Sequence, residues 1–435
     1  MKILVLQLAR LGDIYMSWPA LRALRRKYPD AQLHLLVRPR FSGAVDGLTV
    51  IDKKWEIPME SIFEPLVDPM VNVDESLKRL KDFVQNLRSE NFDSIINLSF
   101  SPFSSYLTKA LTESTTKVLG YTRHSDGYLH LIDDVSAYFY AQVGIGRHNR
   151  VHLTELFASV CGVQLRRDDF YSPIQADSQI QIQGEYYLMH IGASTRGKSF
   201  PPYKWRSVLT KVFSSTGISC VLIGSEEEQE LVKQITVAQP DGAVVNLVGK
   251  TRLEDLISLA QKSMLIVGAD SMAIHLGTLV NCPSLNVSFS NVHFWETGPR
   301  AEKSRVCYAD SDFDLPSENV ADVVIDMLNC KPYQSTPSIW EFQEGIPCYK
   351  GSDQPSWEWD LIQALYMEKP FPSTDNPKIY EGLKNIFDAN KIIIEQLEFV
   401  KKANSVENVA KIINRAEEVI HAVGALVTEL SPLTR

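Results

Sequence analysis

The stretch 263–289, SMLIVGADSMAIHLGTLVNCPSLNVSF, decides the fold. Met264, Leu265, Ile266 and Val267 make a run rich in branched side chains and too brief for a free helix, and it ends at Gly268 and Ala269. That run predicts a buried strand. Asp270 and Ser271 then open a helical pattern that carries His275 one turn in, reaches about Val280, and breaks at Asn281 and Pro283 before another strand at 285–289. A helix starting where a parallel strand ends points its unpaired N–H groups and positive dipole end into the crevice where α/β proteins bind ligands. Phosphate suits such a position.

Working outward, the same alternation continues on both sides. Strands are expected at 186–191, 219–223, 244–247, 264–267, 285–289 and 305–308, with helices at 205–215, 226–237, 253–261 and 272–280. Upstream, a strand at 3–8, a helix through about Tyr28 and a strand at 32–37 form a right-handed parallel unit. Strands at 48–51, 94–98 and 117–120, with helices at 75–88 and 151–161, extend it. The expected fold class is α/β, with two tandem doubly wound, Rossmann-like domains facing across a cleft and a C-terminal helical extension. The expected divisions are 1–172, an acceptor-binding domain, and 184–330, a donor-binding domain; a polar linker runs over 164–184. Residues 331–377, rich in Pro and Trp, read as an irregular segment, and 378–435 as a helical hairpin. Val409, Ile412, Ala416, Val419, Val423, Leu426 and Leu430 form a heptad seam there, which either folds on itself or makes a homo-oligomer or partner contact.

At 435 residues the chain exceeds one ordinary core. Its net charge of −9 argues against nucleic acid as the main partner, because phosphate backbones reward basic surfaces. No run approaches the length of a spanning helix, and the opening strand lacks signal-peptide features, so a cytoplasmic location is expected, with peripheral contact at the inner face of the membrane as an option. Arg25, Arg26, Lys27, Lys78, Arg79 and Lys81 could touch anionic lipid or simply form solvated helix faces. The six cysteines are scattered without a Cys-x-x-Cys pair, so they read as buried small side chains rather than a metal or disulfide frame.

Several residues could do chemistry. Asp13 follows Gly12 at the end of the first strand, where it could cap a helix or accept a proton from a substrate hydroxyl. Ser194, Thr195 and Lys198 lie in a turn leaving the strand at 186–191; small and cationic groups there suit a diphosphate, and a solvated loop is the alternative. Glu226 follows a strand where an acid could hold a ribose diol, although Glu226, Glu227 and Glu228 could equally complement a helix dipole. His275 is either a satisfied core histidine or a donor to ligand. Asp310, Ser311 and Asp312 imitate a metal motif but read as a solvated loop.

Taken together, these residues resemble the ADP-heptose:lipopolysaccharide heptosyltransferase family, glycosyltransferase family 9, of the GT-B type. The likeness covers about residues 1–330 and rests on Gly12 and Asp13 with Ser17, Pro19 and Ala20, then Lys198, Trp205, Glu226, Asp270, Ser271, His275, Asn281, Pro283, Thr297, Gly298 and Pro299. It departs at Met272, where the family usually has Gly, and at Ser290 and Asn291 in place of Gly-Pro. The resemblance implies an inverting transferase that moves a sugar, heptose from ADP-heptose above all, to a cell-envelope glycolipid or a protein without a required metal or other cofactor. It implies Asp13 as base, with Gly12 and Arg10 on the acceptor side. Ser194, Thr195, Lys198, Glu226, Asp270, Ser271, Met272 and His275 are then the donor-binding set. The competing expectation is a non-catalytic nucleotide-sugar-binding relative that acts as an assembly or regulatory subunit through its helical tail.

Overall fold

A computed structural model describes residues 1–171, 174, 178–192, 196–352, 356–374 and 377–402. The front half runs β1 (Lys2–Leu6), α1 (Leu11–Lys27), β2 (Gln32–Val37), β3 (Lys53–Glu56), α2 (Met59–Val67), α3 (Val73–Arg88), β4 (Ser94–Asn97), α4 (Pro102–Leu111) and β5 (Lys117–Leu119). A hairpin, β6 (Tyr121–Arg123) and β7 (Leu129–Leu131), follows, then α5 (Asp134–Gln142), α6 (Leu153–Val160) and α7 (Arg167–Phe170). The main sheet is parallel in the order β3-β2-β1-β4-β5. Ile3, Leu4, Val5 and Leu6 are buried, as a central strand covered on both faces requires.

The rear half repeats the plan: β8 (Tyr186–His190), α8 (Pro202–Thr216), β9 (Ser219–Ile223), α9 (Gln229–Thr236), β10 (Val244–Asn246), α10 (Leu253–Lys262), β11 (Ile266–Ala269), α11 (Met272–Leu279) and β12 (Ser284–Ser288). It closes with α12 (Phe294–Thr297), β13 (Arg305–Tyr308), α13 (Ser317–Leu328), β14 (Ile339–Phe342) and β15 (Tyr349–Lys350). Its sheet order is β10-β9-β8-β11-β12-β13-β14-β15, parallel as far as β13. Both sheets therefore reverse direction at their first strand, between β1 and β4 and between β8 and β11. Those reversals are where a doubly wound sheet leaves a crevice at its carboxyl edge. The rear core gathers Met189, Trp205, Val208, Leu222, Val267 and Leu285 from strands and helices on one side of the sheet.

Both sheets belong to one compact body, while α14 (Trp357–Tyr366) and α15 (Pro377–Lys402) belong to a second. The seam from Val409 to Leu430 lies outside the described residues.

Three expectations are corrected. The strand expected at 48–51 is a turn, and β3 falls at Lys53–Glu56 instead. Arg25 reaches from α1 to donate to the carbonyl of Val50 and to Asp52, closing the turn, and β3 is an edge strand with three exposed residues, so apolarity does not mark it. The linker expected at 164–184 carries α7, which is pinned to α1: Arg22 donates to the carbonyls of Asp169 and Phe170, and Arg26 pairs with Asp169 at 2.6 Å. The segment expected to be irregular adds β14 and β15 to the rear sheet, because Trp340 and Tyr349 pack with Phe294, Trp295 and Cys348. Strands of four and two residues are too short for periodicity to show.

Candidate active site

Each half contributes the loop and helix start that follow its turning-point strands. On the front half, Arg10 is the N-cap of α1 and Asp13 its third residue, whose carboxylate accepts from the Arg10 backbone N–H at 3.0 Å. The capping reading of Asp13 is thus correct as far as it goes. The same side chain sits at the carboxyl end of β1, and burial pushes its pKa above the ordinary 3.8. The negative charge of Asp270 pushes it the same way, while hydrogen bonding and charge at Arg10 oppose. A carboxylate destabilised as an anion is a stronger base.

On the rear half, Asp270 directly follows β11. Its Oδ2 accepts from Lys198 Nζ at 2.6 Å and its Oδ1 from Thr297 Oγ1 at 2.9 Å. Lys198 ends a 3-10 turn, Arg196–Lys198, in which Gly197 lies against Asn291: a β carbon there would stand 2.5 Å from Nδ2 of Asn291. Asn291, read from sequence only as a departure, lies against the lysine loop. Ser271 is the N-cap of α11 with extended backbone, and its hydroxyl is buried without a hydrogen-bond partner. A buried unpaired hydroxyl beside a lysine at a helix start is a vacant donor for an anion. Met272 is the first helical residue, half-buried.

The halves meet at His275. Its ring covers Gly12, and its pKa is lowered by burial; Asp270 opposes that shift and Lys198 adds to it, leaving a neutral imidazole. Away from this point the halves are latched by buried polar groups. Arg300 pairs with Glu155 of α6, His152 contacts the carbonyl of Gly298 at 3.0 Å, and Glu296 accepts from Asn149 at 2.9 Å and from the Gly144 N–H at 3.0 Å.

The structure separates Glu226 from its neighbour Glu228. Glu226 is exposed, whereas the carboxylate of Glu228 folds over Gly192 and Gly224 at the ends of β8 and β9, 3.9 Å from Nε2 of His190. Only glycine at both positions leaves room for it. Glu228 is thus the glutamate that turns inward, its Oε2 accepting from the Ser225 N–H at 2.7 Å, which three adjacent glutamates hide in the sequence. Sequence reasoning also missed Arg38, which follows β2; charge from Arg10, Asp13 and Arg40 reaches it, and its buried Nε has no partner. Arg38 is therefore a second basic side chain, after Arg10, whose charge meets that of Asp13. Ser194 and Thr195 lie outside the described residues. Trp205 is core, edge-on to Phe200. At the end of α1, Arg25, Arg26 and Lys27 donate to Val50, Gln164 and Gly162 carbonyls, so their charges serve the fold.

The arrangement sets a lysine, a helix start and an unpaired hydroxyl on one wall and a carboxylate of raised pKa on the other, groups that can hold a phosphate and accept a proton. The chain is 22% identical over 311 residues to lipopolysaccharide heptosyltransferase 1 of Campylobacter coli, covering 66% of this chain and 83% of the relative. A solved family 9 glycosyltransferase from Veillonella parvula superposes with a TM-score of 0.59 at 16% identity, over 76% of this chain and 98% of that one. The E. coli heptosyltransferase WaaC, solved with ADP, gives 0.56 at 17% identity, over 75% and 100%. The profile described as glycosyltransferase family 9 (heptosyltransferase) matches residues 80–316, and the chain belongs to that family of glycosyltransferases.

Proposed function

We propose that the protein is an inverting heptosyl- or hexosyltransferase that draws its sugar from an ADP-linked donor and passes it to a hydroxyl of an anionic cell-envelope glycolipid. The observation that carries this reading is the Lys198–Asp270 pair at 2.6 Å beside the unpaired Ser271 hydroxyl, in the same body as Asp13 and joined to its loop through His275 on Gly12. The donor diphosphate rests on Lys198, Ser271 and the N–H groups opening α11, with Asp270 holding Lys198 in place. The carboxylate of Glu228 over the ends of β8 and β9 supports a ribose diol binding there. Arg10 and Arg38 give the front wall its preference for an acceptor carrying negative charge.

In the step itself Asp13 takes the acceptor hydroxyl proton, and the oxygen attacks the anomeric carbon from the face opposite the diphosphate. The carbon–oxygen bond to the diphosphate breaks, its electron pair stays on the phosphate oxygen, and ADP leaves. Lys198 and the helix start stabilise that developing charge, which is the larger contribution.

The test is nucleotide release by the purified full-length chain from ADP-heptose and other nucleotide sugars, with a core glycolipid acceptor and with a protein acceptor. Release only with glycolipid is the expected result, and Asp13→Asn should lose turnover by about two to four orders of magnitude while retaining donor affinity. Full activity in Asp13→Asn would remove the base from this scheme, and the absence of any nucleotide affinity would remove the donor site.

A further inference from the structure

A cavity of about 470 Å³ opens on the flank of the front half, away from Asp13 and Asp270, where the C-terminal end of α4 and the edge strand β5 meet the β6–β7 hairpin. Its wall includes Lys109, Thr122, Arg123, His124, Ser125 and His130. Among the described residues that line it there is no carboxylate. The imidazoles of His124 and His130 stack across the hairpin with centroids 4.1 Å apart and planes 19° from parallel. Arg123 is fixed at the rim, donating to Ser105 Oγ at 2.9 Å and to the Gly127 carbonyl at 3.2 Å. Thr122 is only 6% exposed, and its hydroxyl has no hydrogen-bond partner.

Two features of this cavity ask for the same ligand. A buried hydroxyl left unpaired is destabilising unless something meets it. Gathering a lysine, an arginine and two imidazoles around one space without a counter-charge is also unfavourable, and the proximity shows in His130, whose pKa is held down by burial and then by His124 and Lys109. An oxyanion with several acceptor oxygens relieves both at once. The space exceeds what one phosphate group fills, so the ligand's remaining part must be polar and of small-molecule size, given a rim of threonines and Ser125.

We propose that this flank cavity is a second binding site, for a phosphate-bearing polar ligand, with Lys109, His124 and His130 on the phosphate oxygens and Thr122 donating to one of them. The site is independent of the glycosyl-transfer reading, since none of its residues belongs to the donor or acceptor walls.

The experiment uses the full-length protein, titrated calorimetrically with sodium phosphate and with glucose 6-phosphate. Flotation with phosphatidylcholine vesicles, with and without phosphatidic acid, runs in parallel. Saturable binding of either soluble probe, weakened about tenfold or more by Lys109→Gln combined with His130→Asn, supports the site. The isosteric Thr122→Val should weaken it severalfold and Lys198→Met should leave it unchanged. Flotation that needs phosphatidic acid and is lost in the same double variant supports it too, and identifies a lipid headgroup as the source of the phosphate. Binding of no probe, or binding that survives the double variant, overturns the proposal. So does binding lost in Lys198→Met, which would place the phosphate on the donor wall. Lys109 is exposed and Thr122→Val keeps shape, so loss of binding in those variants does not report misfolding.

Discussion

The ring of His275 lies so close over Gly12 that a β carbon on Gly12 would stand 2.7 Å from its Cδ2 and 3.0 Å from its Nε2. This contact lies in the packing between the helix that carries the proposed base and the helix that opens the proposed diphosphate site. Gly12→Ala must therefore push α1 and α11 apart or turn the imidazole, at a cost of about 1–3 kcal/mol. Reduced turnover is expected with a lowered urea midpoint. In Gly12→Ala combined with His275→Ala the two effects should be less than additive, which a double-mutant cycle on unfolding free energy will measure.

The pairing of Lys198 with Asp270 predicts a division between binding and positioning. Lys198→Met removes a charge-assisted contact to the diphosphate, so ADP affinity should fall about tenfold or more by calorimetry. Asp270→Asn keeps shape and the acceptor for Thr297 but releases the lysine, so kcat should fall as KM for the donor rises.

Asp13 sets a pH dependence whose direction is fixed by its surroundings. Burial raises its pKa above 3.8 and the charge of Asp270 raises it further, so the acid limb of kcat/KM should lie above the ordinary carboxylate range. Neutralising Asp270 removes one of the raising causes, and the limb in Asp270→Asn should move to lower pH. An unmoved limb would mean that a different group titrates.

His152, His190 and His275 make a prediction about stability. All three are held below the ordinary 6.5 chiefly by burial, so the unfolded chain takes up protons near that pH that the folded chain refuses. Their contribution is complete above pH 6.5 and is lost as pH falls, by up to about 1.4 kcal/mol per pH unit for each histidine. The urea midpoint should drop between about pH 7.5 and about pH 5.5, and less so in His152→Asn if that variant folds. A flat midpoint would show that these imidazoles are solvated.

What the sequence determined by itself was everything that depends on short-range pattern. The apolar runs at β1, β8 and β11 and the capping chemistry around Asp13 and Ser271 are local, and they placed two parallel sheets and the residues at their carboxyl ends. Tertiary structure alone decided which neighbours face inward and which strands join an edge. Three consecutive glutamates are equivalent in sequence, and only the space above Gly192 and Gly224 selects Glu228. β14 and β15 exist because Trp340 and Tyr349 pack on Phe294 and Trp295, more than forty positions away, and Gly12 is constrained by a histidine some 260 residues downstream. Periodicity reports what a segment prefers; it carries no information about what distant chain will fill the space beside it.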